Sequence, residues 1–175
     1  MEKIITLYIP LIGEMNYRQK LLMDNQTMNF NKGYNLNNKS YNKETGCIRF
    51  PKTNWKTWYD LWVNNKPNRY YAYILNNKNN KFIGEVNLHY NLDKEWFEMG
   101  IIIESGYRGL GYSKLALEQL LDVAFLEYNA KFVHNNFEIS RKKALKIHLD
   151  CGFRIVKQNG NNIDLIVGKK DYKPS

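Results

Sequence analysis

Apolar positions along this chain fall into short runs of strand length separated by Asn-rich turns, and then, past residue 110, into helical spacing. β-Branched and aromatic residues crowd residues 69–76 ("RYYAYILN"), 81–90 ("KFIGEVNLHY") and 96–104 ("WFEMGIIIE"), which predicts three strands, the last two joined through "NLDK" as an antiparallel hairpin. In the third of these, alternation puts Glu98, Gly100 and Ile102 on one face and Phe97, Met99, Ile101 and Ile103 on the other. Upstream, "KIITLYIP" reads as a first strand that Pro10 ends, and a short helix is predicted within residues 15–28. Residues 29–52 are turn-rich, and a stretch of that length without periodicity suggests a functional loop.

Trp55, Trp58, Tyr59 and Trp62 stand at i, i+3, i+4 and i+7, one face of a helix with Thr53 or Asn54 as N-cap. That stripe suits either the core or the wall of a substrate pocket. From Gly111 to Tyr128 the pattern is again helical, with Leu117, Leu120, Leu121, Ala124 and Tyr128 in one stripe. "AKFVHNNF" reads as a strand, "SRKKALKIHLDC" as a helix capped by Ser140, and residues 153–158 and 162–168 as a closing hairpin. The order of elements predicts a mixed α/β fold in a single domain over residues 1–175.

Composition narrows the class. An aromatic content of 14% argues for a folded protein, and the net charge of +9 raises the prospect of an anionic partner. The lysines are interleaved with asparagines, as in "NNKNNK", so they read as solvated surface, and neither nucleic acid nor a membrane is indicated. Cys47 and Cys151 show no metal or redox spacing, which fits a reduced, cytoplasmic protein, and no metal site is expected. Residues 4–13 have the length of a signal-peptide core but lack its flanks.

The chemistry concentrates in "ESGYRGLGYSKLAL", residues 104–117, where a buried strand passes through glycines into a helix. A helix N-terminus presents unpaired N–H groups and a positive dipole end, and so suits phosphate. A dinucleotide fingerprint from Gly109 would need glycine at Lys114, and a P-loop from Gly106 would need Lys-Ser/Thr at Tyr112 and Ser113, so neither NAD nor ATP is indicated.

Arg108-x-x-Gly111-x-Ser113, flanked by "FEMGIII" before it and "ALKIHLDCGF" after it, resembles the pyrophosphate loop and neighbouring blocks of the GCN5-related N-acetyltransferase superfamily. The resemblance covers about residues 70–167; Ser at 113 is a mild departure from Gly or Ala. It implies a mostly antiparallel sheet of six to seven strands, flanked by helices and splayed between strands 4 and 5. It also implies transfer of acetyl from acetyl-CoA to an amine, without metal. In that setting the backbone of Ile101, Ile102 and Ile103 would hold the pantetheine arm and thioester, and Arg108, Gly109, Leu110, Gly111, Tyr112, Ser113 and Lys114 the pyrophosphate.

Arg141 stands where relatives carry an asparagine that contacts the cofactor, and His148 where they carry the tyrosine thought to protonate the thiolate; Arg141 is a candidate phosphate ligand and His148 a candidate acid. Glu98 is the first candidate base, with His134 second and Glu85 and His89 on the adjoining strand. The expected acceptor is a small-molecule primary amine. A protein N-terminus, as in ribosomal-protein acetylation, and a non-catalytic CoA- or nucleic-acid-binding module are the alternatives, and a homodimer is compatible with the family.

Overall fold

A computed structural model describes residues 3–174 of the chain. Seven strands form one sheet: β1 (Ile5–Tyr8), β2 (Arg69–Asn76), β3 (Lys81–Asn91), β4 (Trp96–Ile103), β5 (Phe132–Glu138), β6 (Arg154–Asn159) and β7 (Asn162–Gly168), in the order β1-β2-β3-β4-β5-β7-β6. Every neighbouring pair is antiparallel except β4 and β5. Those two run parallel and meet at only two registers, Phe97 with Val133 and Glu98 with His134. Beyond Glu98 they part, so the edge of β4 at Ile101, Ile102 and Ile103 faces no strand on that side.

Alternation decides which face each helix covers. Tyr70, Ala72 and Ile74 point to one side and share a core with Leu117, Leu120 and Leu121 of α4 (Tyr112–Asp122), with α5 (Lys142–Asp150) packed alongside. Tyr71 and Tyr73 point to the other, where Met15 and Leu22 of α1 (Met15–Met23), Met28 of α2 (Asn25–Met28) and the tryptophans of α3 (Trp55–Trp62) enclose them. Burial of such side chains contributes roughly 1.5–3 kcal/mol each.

Several local readings are refined. The expected early helix is two, divided at Asp24, whose carboxylate caps α2 by accepting from the Thr27 N–H at 3.0 Å. Residues 29–52 contain a short 3-10 turn at Asn29–Asn31 and a bridge between Tyr41 and Ile48. The aromatic stripe of α3 faces the sheet but is only partly buried. The helix predicted from Gly111 to Tyr128 is α4 followed by a π turn at Val123–Glu127, which brings the Tyr128 hydroxyl to the Arg69 carbonyl at 3.1 Å. Ser140 does not cap α5: the N-cap is Arg141, and the Ser140 hydroxyl donates to Glu138 at 3.2 Å. Among the described residues no helix is long and apolar enough to cross a membrane.

Candidate active site

Where β4 leaves β5, a cleft of about 760 Å³ opens between the end of β4, the loop into α4 and the first turns of α5. Gly109 (φ 79°) and Gly111 (φ 87°) turn the loop in left-handed conformations, and a Cβ on either would meet nothing within 4 Å. Dihedral angle and not crowding therefore demands glycine at both positions. Gly111 is the N-cap of α4 and has no side chain to cap it, so the first N–H groups of the helix are left to face the cleft.

Eight of the eleven residues expected to bind cofactor line this cleft: Ile101, Ile102, Ile103, Arg108, Gly109, Gly111, Ser113 and Arg141. The side chains of the other three turn elsewhere. Leu110 is 65% exposed, the Tyr112 hydroxyl accepts from Asn76 at 3.1 Å, and the Lys114 ammonium lies along the helix 3.7 Å from Glu118.

The Arg108 guanidinium is bound to protein rather than aimed at a ligand. It donates to the carbonyls of Ile103 at 3.1 Å, of Gln26 at 3.4 Å and of Thr27, while the Ser105 N–H donates to the Thr27 hydroxyl at 3.0 Å. This fastens the loop to α2 and leaves the backbone N–H groups of the loop, rather than the Arg108 side chain, to meet a phosphate. Desolvation, and next the positive charge of Arg141, pull the Arg108 guanidinium below its ordinary pKa, a tension that an anion in the cleft would relieve.

Arg141 lies over the rings of Phe30 and Phe137, 5.2 and 5.6 Å from their centroids. Beside it Lys142, Lys143 and Lys146 also line the cleft. The run "RKK" at the start of α5 marks the first two of these lysines in the sequence, and Lys146 follows one turn on.

His148 is held at both ring nitrogens. Nδ1 donates to the Ala144 carbonyl at 2.8 Å, and Nε2 accepts from Asn135 Nδ2 at 2.9 Å; the Asn135 orientation is fixed by its Oδ1, which accepts from the Asn136 N–H at 2.9 Å. Burial against Phe137 and Phe153 pushes the imidazole pKa down to about 4. A histidine so held is neutral at physiological pH with its one proton committed to a carbonyl, so it makes a poor acid.

The opposite sheet face carries the candidate bases. Glu98 sits at the last register before the strands part; its Oε1 accepts from Trp96 Nε1 at 2.6 Å and from Asn91 at 3.4 Å, and its Oε2 bonds His134 Nδ1. His134 Nε2 lies 3.1 Å from Asp164 Oδ1. Gly100, next on the same face, leaves room for the Asn87 amide: a Cβ there would come 2.5 Å from Asn87 Nδ2.

Glu85 is not free. It is 2% exposed, paired with Arg18 and bonded to the Tyr71 hydroxyl, with the Arg18 guanidinium 4.2 Å over the Trp58 ring. His89 packs edge-on against Trp62 at 5.7 Å, and burial lowers its pKa.

The sequence matches a family model described as an acetyltransferase (GNAT) domain over residues 18–154. The chain belongs to the GNAT acetyltransferases. Members of the GNAT family are N-acetyltransferases that use acetyl-CoA. No curated protein matches the sequence. Among solved structures, the GNAT chain is similar to spermidine N-acetyltransferase from Vibrio cholerae in complex with CoA and spermine, at 16% identity and TM-score 0.76, covering 98% of this chain and 99% of that one. It is also similar to a GNAT-family acetyltransferase from Bacillus anthracis, at 11% identity and TM-score 0.71, covering 97% and 98%. These likenesses extend over the tryptophan helix and the loop before it, where the sequence blocks of the GNAT resemblance had not reached.

Proposed function

We propose that this protein transfers acetyl from acetyl-CoA to the primary amine of a small molecule, with the cofactor in the cleft between β4 and α5 and Glu98 as general base. The observation that carries the reading is the make-up of that cleft. Its inner end is the free edge of β4, with backbone groups suited to a pantetheine arm, and its outer end gathers the α4 N-terminus, Ser113, Arg141, Lys142 and Lys143. Amides at one end and cations at the other match a ligand that is an amide chain ending in phosphates. Bound there, acetyl-CoA supplies the activated acetyl group.

The chain's own residues then have three tasks. The backbone N–H groups of Ile101 and Ile103, which point away from β3, orient the thioester and face its developing oxyanion, with Ile102 between them paired to β3. Glu98 takes the ammonium proton of the acceptor, and the Asn87 amide over Gly100 orients the amine on the same face. Likeness to an enzyme crystallised with CoA and spermine supports a small amine as acceptor. Two unpaired cysteines support a cytoplasmic setting.

Calorimetry with acetyl-CoA, followed by a panel of polyamines, amino sugars, amino acids and an N-terminal peptide with thiol release as readout, tests the reading. Acetyl-CoA binding and release with a small amine are expected. Release with the peptide alone would assign the acceptor to proteins.

A further inference from the structure

Glu98 does not stand alone. Its Oε2 bonds His134 Nδ1, and His134 Nε2 stands 3.1 Å from Asp164 Oδ1, so three side chains from the consecutive strands β4, β5 and β7 form one line. The line begins at the last register before β4 and β5 part and ends at a carboxyl that is 28% exposed. His134 between them is 4% exposed, and Trp96 lies flat on it, 4.4 Å between centroids and 11° between planes. A buried imidazole shielded on its face exchanges protons only along its two nitrogens, and here both end on carboxylates. Holding Glu98 needs only the bonds from Trp96 and Asn91, so they leave the outward half of the line unexplained.

We infer that Glu98, His134 and Asp164 form a proton relay that carries the acceptor's proton from the acetyl site to solvent. The inference rests on Glu98 being the base. In the step, an N–H bond of the amine breaks and an O–H bond forms on Glu98, directly or through one water. The proton moves from Glu98 to His134 Nδ1 while His134 Nε2 yields one to Asp164, and Asp164 releases it to bulk water. The step leaves the neutral ring with its proton on Nδ1; once product has left and the acetyl site is open, Nδ1 gives that proton through Glu98 to water there while Nε2 takes one from water through Asp164, which restores every group, and no electrons change hands. His134 and Asp164 touch no reacting atom and are positioning residues. The other titratable or charged groups facing the line are His89 on β3 in register with Glu98, Arg69 on β2 in register with His89, and Lys157 on β6 in register with Asp164.

The test measures kcat/KM against pH for wild type, Glu98→Gln, His134→Gln and Asp164→Asn, using whichever amine of the panel gives the fastest thiol release, with acetyl-CoA affinity measured in parallel. His134→Gln is expected to lose about 100-fold in kcat/KM, within the range for acid–base groups. Asp164→Asn should lose less, acetyl-CoA affinity should hold, and imidazole added to the buffer should restore activity to His134→Gln while leaving wild type unchanged. Wild-type kcat/KM and pH profile in folded His134→Gln, or a loss that imidazole does not restore, would overturn the relay. If His134→Gln does not fold, Asp164→Asn decides by the same readouts. Full activity in Glu98→Gln overturns the base assignment and the relay with it. An inactive Glu98→Gln beside an unaffected His134→Gln overturns the relay alone, and no release with any amine overturns both.

Discussion

Nδ1 of His148 lies 2.8 Å from the backbone carbonyl oxygen of Ala144, one turn earlier in α5, so the imidazole proton is tied to its own helix. Burial holds the ring neutral down to about pH 4, against about 6.5 in an unfolded chain. Between those values the unfolded state binds the proton and the folded state does not, so stability is complete above about pH 6.5 and falls as pH drops toward 4. The loss attributable to this group is up to about 3 kcal/mol. Thermal melts at about pH 7 and pH 5 should show a lower Tm in acid, and His148→Gln should flatten that dependence.

Gly111→Ala and Gly111→Asp should separate two effects in the cofactor loop. No atom lies within 4 Å of the added Cβ, so alanine introduces only the strain of φ 87°, about 1–3 kcal/mol. Aspartate adds a negative charge at the helix start where the cleft gathers its cations. Calorimetry should find acetyl-CoA binding weakened in Gly111→Ala and abolished in Gly111→Asp.

Lys142 and Lys143 face the cleft from exposed positions, where each charge contributes about 0.2–1 kcal/mol at moderate salt. The double alanine variant should bind acetyl-CoA about tenfold more weakly at low salt. Raising the salt should narrow the gap to wild type, because ions screen the exposed charges. A titration at two ionic strengths checks both points.

Arg18 and Glu85 form a pair beneath the aromatic cover of Trp58, Phe50 and Tyr71. Removing either partner strands a charge, at about 3–5 kcal/mol. Urea melts of Arg18→Met and Glu85→Gln should each show such a loss, and the double variant should lose much less than the sum, because the stranded charge is gone.

The strands were legible in sequence because apolar period and turn residues are local, and the glycine loop was legible because its dihedral demand is written into single residues. What escaped was contact between residues far apart in the chain. Arg18 meets Glu85 across 67 positions, Glu98 meets His134 across 36, and Arg108 meets Thr27 across 81. Glu98 and His134 had been ranked as rival bases, yet they are joined only because parallel pairing of β4 and β5 puts them at one register. The chemistry of His148 is set by Asn135 and Ala144, and no spacing rule couples Asn135 to it.

The brace from Arg108 to Gln26 and Thr27 also draws a seam through the molecule. Among the described residues, none of the bonds that shape residues 104–108 involves a side chain or carbonyl between residues 32 and 49. That stretch is fastened instead to α1 and α2, by the Ile48 N–H on the Leu22 carbonyl at 3.0 Å and by the buried Cys47, 3.0 Å from the Asn25 amide oxygen. Both sets of fastenings converge on α2, so a change in that one short helix is felt at the glycine loop and at residues 32–49 together.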